Sequence, residues 1–129
     1  MTIPFNVADH GRNFTVLVCD DVVVKVPKRS KIENALNEIA VIQNELSDID
    51  GILPCDVQSD CLVMPKATGR RGDTLTNREW EQCQGDVERI KSEAREMGYE
   101  IRGSARKNVF WDGEQAYWVD FSHVTEDKT

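Results

Sequence analysis

Apolar residues recur along the chain in two patterns, as short β-branched runs typical of strands and as longer stripes typical of helices. The first clear run is "FTVLVCDDVVVKV", in which two apolar segments flank Asp20 and Asp21. Aspartate tolerates the positive φ of a tight turn, so this segment predicts a β-hairpin. Lys25 lies in the second strand, where a lysine ordinarily extends into solvent unless a carboxylate lies close enough to pair with it.

The segment "SKIENALNEIAVIQNEL" predicts the first helix. Ser30 followed three residues later by Glu33 is the pattern of a capping box. The apolar residues with helical spacing are Ile32, Ala35, Leu36, Ile39, Ile42 and Leu46. Glu38 lies beside this stripe, so it could point toward the sheet and pair with Lys25, although many glutamates in such positions are simply solvated.

The segment "TNREWEQCQGDVERIKSEAREMG" predicts a second, longer helix. Thr76 and Glu79 form another capping-box pattern, and Gly98 is typical of a helix C-terminus. Its stripe consists of Trp80, Cys83, Val87, Ile90, Ala94 and Met97. Core packing is the simplest reading of this stripe, and docking against a partner helix is the alternative.

Between the two helices, "ILPCDV" and "CLVMP" predict short strands separated by a polar turn. The following "KATGRRGD" predicts a loop. This loop is the plausible boundary between two halves, residues 1–67 and 68–129. At 129 residues, we expect the halves to form one compact unit.

After the second helix, "NVFW" and "AYWVDF" predict a hairpin around Asp112 and Gly113. With a four-residue loop, Asn108 lies across from Val119 and next to Asp120. An amide oxygen and a carboxylate held together there suit a hard cation such as Mg²⁺. The ordinary alternative is that both residues only shape turns.

Charge and cysteine content narrow the classes of function. A net charge of −7 argues against nucleic-acid binding, because phosphate neutralisation needs clustered cations, and the only basic clusters, "KVPKRSK" and "GRR", read as solvated loops. The four cysteines lack the spacing of metal or disulfide frameworks, which favours reduced thiols inside a cell. No leader-like or membrane-length apolar run is present, so we expect no membrane association and a cytoplasmic protein.

The order of these features resembles the protein kinase-like fold. The resemblance implies an α+β protein with a small antiparallel-sheet N-lobe carrying one helix, and a reduced C-lobe with one long helix and a β-hairpin. It implies that Lys25 in "VVVK" contacts nucleotide phosphates and that Glu38 is its partner. It also implies that "KNVFW" and "VDFS" supply Asn108 and Asp120 as ligands of Mg²⁺ bound with ATP. "LVMPKATG" resembles the hinge, with Met64 near the gatekeeper position and the backbone from Pro65 to Ala67 facing adenine.

Three departures from the family pattern bear on activity. Five residues before Asn108, where the family has its catalytic Asp, stands Gly103, and the missing base is worth roughly 10²- to 10⁴-fold in rate. Glu100 is the nearest upstream carboxylate if the loop register shifts. Only seven residues follow Ser122, so the resemblance is to a miniature, C-terminally truncated kinase. Gly11 is the single glycine where the family's phosphate loop has two or three.

Three classes of function remain open. The leading one is a pseudokinase-type module that binds ATP and Mg²⁺ and acts through a protein partner or a homodimer covering the truncated half. The second is a small phosphotransferase or nucleotidyltransferase that uses the same site. The third is a nucleotide-free interaction or structural protein, in which Lys25 and Glu38 form only a structural ion pair.

Overall fold

The computed structural model describes residues 6–9, 13–102, 106–121 and 124–126. Within these ranges the chain is α+β. Its helices are α1 (Ser30–Leu46) and α2 (Asn77–Glu96). Its strands are β1 (Asn6–Asp9), β2 (Phe14–Val18), β3 (Val22–Pro27), β4 (Asp56–Gln58), β5 (Cys61–Pro65), β6 (Arg70–Arg71), β7 (Tyr99–Ile101), β8 (Val109–Trp111), β9 (Ala116–Trp118) and β10 (Val124–Glu126). Two 3₁₀ turns span Gly72–Thr74 and Arg106–Asn108.

Packing contacts divide the chain into two compact units. The first unit comprises Met1–Asn44 and Pro54–Lys66, and the second comprises Glu45–Leu53 and Ala67–Thr129. The first unit contains the five-stranded sheet and most of α1. The second contains α2, a three-stranded sheet and a two-stranded sheet. The segment from Glu45 to Leu53 belongs with the second unit although it precedes the loop predicted as the boundary.

The sheet of the first unit has the strand order β1-β2-β3-β5-β4, and all its neighbours are antiparallel. The predicted hairpin of β2 and β3 is confirmed, with Cys19 N–H donating to the Val22 carbonyl at 2.9 Å across the turn. The prediction that Asp20 and Asp21 adopt positive φ was wrong. Among the described non-glycine residues, positive φ occurs at Ser59 and Asp60, at 50° and 61°, in the two-residue turn between β4 and β5, as a type I′ turn requires.

Helix α1 buries a face that differs from the predicted stripe. The buried residues of α1 are Ile32, Leu36, Ile39, Ala40, Gln43 and Leu46. Ala35 and Ile42 are only half-buried. The Gln43 amide donates to Met64 Sδ of β5 at 3.8 Å, which places this face against the sheet. Because burying one Leu or Ile contributes roughly 1.5–3 kcal/mol, the apolar members of the face suffice to hold α1 in place.

Helix α2 follows its prediction except at the ends of the apolar stripe, where Trp80 is only half-buried and Met97 is exposed. The capping box is present, with Glu79 N–H donating to Thr76 Oγ1 at 3.2 Å and Thr76 N–H donating to Glu79 Oε1 at 3.0 Å. Gly98 has φ of +92° just after the helix end. The buried residues of α2 are Cys83, Val87, Ile90 and Ala94. The four cysteines of the chain are free thiols, and burial raises the pKa of Cys83 to about 11.

Gly85 gives a direct test of helix propensity within α2. Its position is exposed, and an added Cβ meets no heavy atom within 4 Å. We expect Gly85→Ala to raise the free energy of unfolding by about 0.5–1 kcal/mol, because alanine loses less backbone entropy in a helix. Urea unfolding measures the change. Gly98→Ala is the matched control and should destabilise instead, because its position is equally open but has positive φ.

The hairpin of β8 and β9 has the predicted four-residue loop, Asp112 to Gln115. Asp112 Oδ1 accepts from the backbone N–H groups of Glu114 at 2.8 Å and Gln115 at 2.7 Å, and these bonds lower the pKa of Asp112. Gly113 has φ of +102° in the turn. The short strand β6 pairs with β8, and β7 pairs with β10. Strands β6, β7 and β10 were not predicted, because each has only two or three residues and pairs with a strand distant in the chain.

A hydrogen-bond network ties α2 to β9 and to the segment from Glu45 to Leu53. Asp86 accepts from Arg89 Nε at 2.6 Å and from the Ala116 N–H at 2.8 Å. Arg89 also donates to the Asp50 carbonyl at 2.8 Å. Trp118 N–H donates to the Gly51 carbonyl at 2.9 Å. These bonds account for the membership of this segment in the second unit.

The network predicts a pH dependence of stability. The hydrogen bond from Arg89, and secondarily that from the Ala116 N–H, lowers the pKa of Asp86. A lowered folded pKa gives stability that is present above the unfolded value near 3.9 and is lost as the pH falls through the folded value. We therefore expect Asp86→Asn to destabilise the protein at neutral pH, and the difference from the unmodified chain to shrink below about pH 4. Urea unfolding at several pH values measures this.

The control for this pH series is Glu88→Gln, which alters an exposed carboxylate of the same helix. It should change stability little at any pH, because an exposed surface charge contributes little. A gap between Asp86→Asn and the unmodified chain that stays constant down to about pH 2 would contradict the assignment of the effect to an ionised Asp86.

No helix in the described ranges is both long enough and apolar enough to cross a membrane.

Candidate functional site

Lys25 is buried in the first unit. It pairs in register with Val16 of β2 and Leu62 of β5, and only 6% of its surface is exposed. Its Nζ lies 5.7 Å from the centroid of the Phe14 ring. Burial raises the pKa of the Cys55 thiol, and the charge of Lys25 opposes this rise, which places the ammonium near that sulfur. Lys25 is therefore not a solvated strand lysine, which would be the usual case. Burying an ammonium costs several kcal/mol of desolvation unless other groups compensate for it.

Glu38 does not face the sheet. The predicted orientation is wrong because the buried side of α1 runs through Ile39, Ala40 and Gln43, which leaves Glu38 exposed. Glu38 forms no ion pair with another described residue. The polar residue that α1 buries instead is Gln43, at 1% exposure.

The spacing of the sequence contained the signal for Gln43. This residue stands four after Ile39 and three before Leu46, so it lies on the buried face that those two residues define. The polar character of Gln43 hid it from a pattern search restricted to apolar residues. Its burial in the same unit as Lys25 makes it a residue of interest for the candidate site.

The segment resembling a hinge follows β5. Met64 is buried at 3% exposure, whereas Pro65 is exposed. Pro65 carries no N–H group, and the Lys66 N–H donates to the Asp21 carbonyl at 3.0 Å. From Pro65 to Ala67, the Ala67 N–H is therefore the backbone donor that is neither absent nor bonded to the Asp21 carbonyl. Ala67 belongs to the second unit.

Asn108 and Asp120 lie at the open end of the β8–β9 hairpin, as predicted. The Val119 N–H donates to the Asn108 carbonyl at 3.0 Å, which sets Asn108 across from Val119, the residue before Asp120. The indole N–H of Trp118 donates to the Asp120 carbonyl at 2.6 Å and fixes the backbone there. Both Asn108 and Asp120 are half-buried.

The donor set at this hairpin end is small. Within the described part of the chain, no group of three or more His, Cys, Asp or Glu side chains could hold a metal. One amide and one carboxylate nevertheless match what Mg²⁺ requires when phosphate and water complete its shell. The residues present therefore fit a nucleotide-bound Mg²⁺ better than an ion held by the protein alone.

The predicted catalytic loop is described only at its ends. Gly103, at the position of the family's catalytic Asp, lies outside the described residues, as does Gly11 of the thin glycine loop. Ile101 is buried and pairs with Val124 between β7 and β10. Glu100, the upstream carboxylate, forms an ion pair with Arg95 at 3.5 Å.

The structure brings one further segment against this loop, which the sequence analysis treated as a plain connection. The 3₁₀ turn Gly72–Thr74 packs on the 3₁₀ turn that ends at Asn108, so closely that a Cβ on Gly72 would lie 2.4 Å from the Arg106 carbonyl oxygen. Asp73 accepts two hydrogen bonds from Arg71, at 2.7 and 2.8 Å. These bonds lower the pKa of Asp73, with a smaller contribution from the charge of Lys107.

Comparisons with solved structures decide the fold. Three of the similar structures are the gentamicin complex of APH(2'')-IIa, monomeric WbdD, and the ADP-bound aminoglycoside phosphotransferase APH(2'')-Ib, with TM-scores of 0.53, 0.61 and 0.51. The fold is protein kinase-like. Their sequence identities are 20%, 16% and 18%, and they cover 70%, 89% and 81% of this chain.

The kinase-like likeness is one of fold. No protein-family model matches the sequence, and no curated protein matches it. The chain spans about one third of the length of the similar structures, between 33% and 36%. The kinase-like fold thus confirms the resemblance seen in the sequence.

Proposed function

We propose that this kinase-like chain binds ATP together with Mg²⁺ and acts through a partner, as a pseudokinase-type module. The observation that carries the proposal is the hairpin end, where a backbone hydrogen bond holds Asn108 across from Val119, immediately before Asp120. This arrangement supplies the amide and the carboxylate that the resemblance assigns to Mg²⁺. One similar structure is an ADP-bound aminoglycoside phosphotransferase, which supports a nucleotide as ligand.

Lys25 supplies the positive charge that this proposal needs for the nucleotide phosphates. Lys25 is the buried cation among the described residues of this sheet, on the strand where the resemblance implies a lysine that contacts phosphate. Glu38 is left out of the set because its side chain is exposed. Adenine recognition falls to the backbone from Pro65 to Ala67, where the Ala67 N–H is the proposed donor.

The chemistry that bound Mg²⁺ would supply is neutralisation of phosphate charge. Asn108 and Asp120 would hold the ion, and Lys25 would orient the phosphates. Gly103 offers no side chain to accept a proton from an acceptor hydroxyl. We therefore propose binding without rapid phosphoryl transfer, since a missing base costs roughly 10²- to 10⁴-fold.

A second candidate is a small phosphotransferase or nucleotidyltransferase. The observation that favours it is that one similar structure is an aminoglycoside phosphotransferase by name. Release of ADP or AMP from ATP by the full chain, abolished by Asp120→Asn, would establish this function over the pseudokinase-type one. Tight ATP binding without turnover would establish the reverse.

The partner is proposed as a second copy of this chain or another protein. The described residues expose two large apolar side chains, Val41 on α1 at 56% and Met97 after α2 at 42%. Sedimentation of the chain alone, with and without ATP and Mg²⁺, tests for a homodimer. A monomer under both conditions would leave another protein as the partner.

Thermal denaturation of the full chain with ATP and Mg²⁺ tests the proposed binding. A ligand that binds only the folded state at 100 times its Kd stabilises it by about 2.7 kcal/mol, so the midpoint should rise by several degrees. The rise should be lost in Asp120→Asn and in Lys25→Met, and kept in the matched control Glu38→Gln. No rise in the unmodified chain would favour a nucleotide-free structural protein.

A further inference from the structure

The 3₁₀ turn Arg106–Asn108 carries one of the two candidate metal ligands, and its backbone is held at both ends. At the first residue, the packing of Gly72 is so close that an added Cβ would lie 2.4 Å from the Arg106 carbonyl oxygen. At the last residue, the Asn108 carbonyl accepts a hydrogen bond from the Val119 N–H at 3.0 Å. Both contacts involve backbone atoms, so they do not depend on which side chains the turn carries.

The Arg106 side chain adds a third contact, with α2. Its Cζ lies 4.9 Å from the centroid of the Trp80 ring, which is within the range of a cation–π contact. Arg106 is half-buried and forms no ion pair with a carboxylate among the described residues. A guanidinium stacks well on an aromatic face because it is planar and weakly hydrated. The Trp80 ring therefore restricts a side chain that would otherwise have many rotamers.

Trp80 is presented from a well-closed helix end. It lies in the first turn of α2, where its backbone N–H donates to the Thr76 carbonyl at 2.8 Å. The preceding residue, Glu79, completes the capping box with Thr76 and forms an ion pair with Arg70. Trp80 is only half-buried, whereas Cys83 of the same stripe is fully buried. Burial in the core accounts for only part of the Trp80 side chain, which leaves ring surface for Arg106.

We propose that Trp80 is a positioning residue for Asn108. The ring holds Arg106 by stacking, and Arg106 begins the 3₁₀ turn that ends at Asn108, so loss of the ring gives this turn more freedom. Neither Trp80 nor Arg106 is assigned a contact with ATP or Mg²⁺. The consequence for metal binding deepens the proposed function and rests on it, whereas the effect on the turn itself does not.

The first test measures the turn without any ligand, by amide hydrogen exchange of the full chain. The Val119 N–H reports the turn because its hydrogen bond ends on Asn108, and the Trp118 N–H, bonded to the Gly51 carbonyl, is the internal control. In Trp80→Leu, which has no aromatic face, we expect Val119 exchange to accelerate roughly 3- to 10-fold, the range for losing a partly exposed cation–π contact. Trp80→Phe should keep the slow exchange. Unchanged Val119 exchange in Trp80→Leu, or equal acceleration at Trp118, would overturn the proposal.

The second test measures the consequence for the metal. Calorimetry gives the affinity of the full chain for ATP with Mg²⁺ and with EDTA, and the ratio of the two affinities is the readout. We expect this ratio to fall roughly 3- to 10-fold in Trp80→Leu and in Arg106→Gln, and to be kept in Trp80→Phe. The double variant should lose no more than either single variant, because both remove the same contact. The matched control, Arg78→Gln, removes an exposed cation from the same helical turn and should leave the ratio unchanged.

The outcomes distinguish this inference from the proposed function. An unmodified chain that binds no ATP, or binds it equally with and without Mg²⁺, would contradict the proposed function, while hydrogen exchange still decides the role of Trp80 in the turn. A ratio that Mg²⁺ raises and that Trp80→Leu keeps in full would leave the proposed function standing and overturn the metal part of this inference. Losses that add in the double variant would also overturn it, because Trp80 and Arg106 would then act separately.

Discussion

Trp118→Ala should lower the free energy of unfolding by about 3–5 kcal/mol, the range for removing a large buried aromatic side chain. Trp118 is fully buried in β9, and Lys91 Nζ lies 5.4 Å from its ring centroid. Its indole N–H also donates to the Asp120 carbonyl, so the variant removes both packing and the bond that fixes the backbone at the candidate metal ligand. Urea unfolding measures the loss.

Two variants separate these two contributions of Trp118. Trp118→Phe keeps most of the buried ring but removes the indole N–H, so we expect a smaller loss of stability together with weaker Mg²⁺-dependent ATP binding. Tyr117→Ala is the control on the same strand, because Tyr117 faces the other side and is only half-buried. A Tyr117→Ala loss as large as that of Trp118→Ala would contradict the assignment of the core to the Trp118 side of β9.

Gly51→Ala should destabilise the second unit by roughly 2–5 kcal/mol. The φ of Gly51 is +102°, and a Cβ there would lie 2.4 Å from the Ala116 carbonyl oxygen and 2.8 Å from Ile90 Cδ1. The strained φ costs about 1–2 kcal/mol, and the overlap with backbone adds about 1–3 kcal/mol. The variant also disturbs the bond from Trp118 N–H to the Gly51 carbonyl.

Gly113→Ala measures the cost of the positive φ alone, without the steric overlap that Gly51→Ala introduces. Gly113 has the same φ of +102°, but an added Cβ meets no atom within 4 Å. We expect it to cost only about 1–2 kcal/mol. Equal losses in the two variants, measured by urea unfolding, would show that the close approach of Gly51 to β9 does not contribute.

The elements that the sequence predicted share a physical basis in local patterns. The capping box of Thr76 and Glu79, the stripe from Cys83 to Ala94 and the loop beginning at Asp112 each depend on residues close together in the chain. Local hydrogen bonds and periodic burial determine such features. The register that sets Asn108 across from Val119 followed directly from the loop length.

The features that the sequence did not reveal depend on contacts distant in the chain. The rotation of α1 about its axis over the sheet determines whether Glu38 or Gln43 is buried. In the structure, Gln43 is buried and Glu38 is exposed. The association of Gly51 with β9 spans more than sixty residues, and no local pattern encodes it. The packing of Gly72 on the Arg106 carbonyl likewise depends on a tertiary contact that no local pattern encodes.

The central claim is that this chain binds ATP together with Mg²⁺, and a ¹⁵N NMR titration of the full chain with ATP, with and without Mg²⁺, tests it most directly. The account predicts saturable shifts at Lys25 and Ala67, and at Asn108 and Asp120 only when Mg²⁺ is present. No saturable shift at millimolar ATP, with or without Mg²⁺, would contradict it.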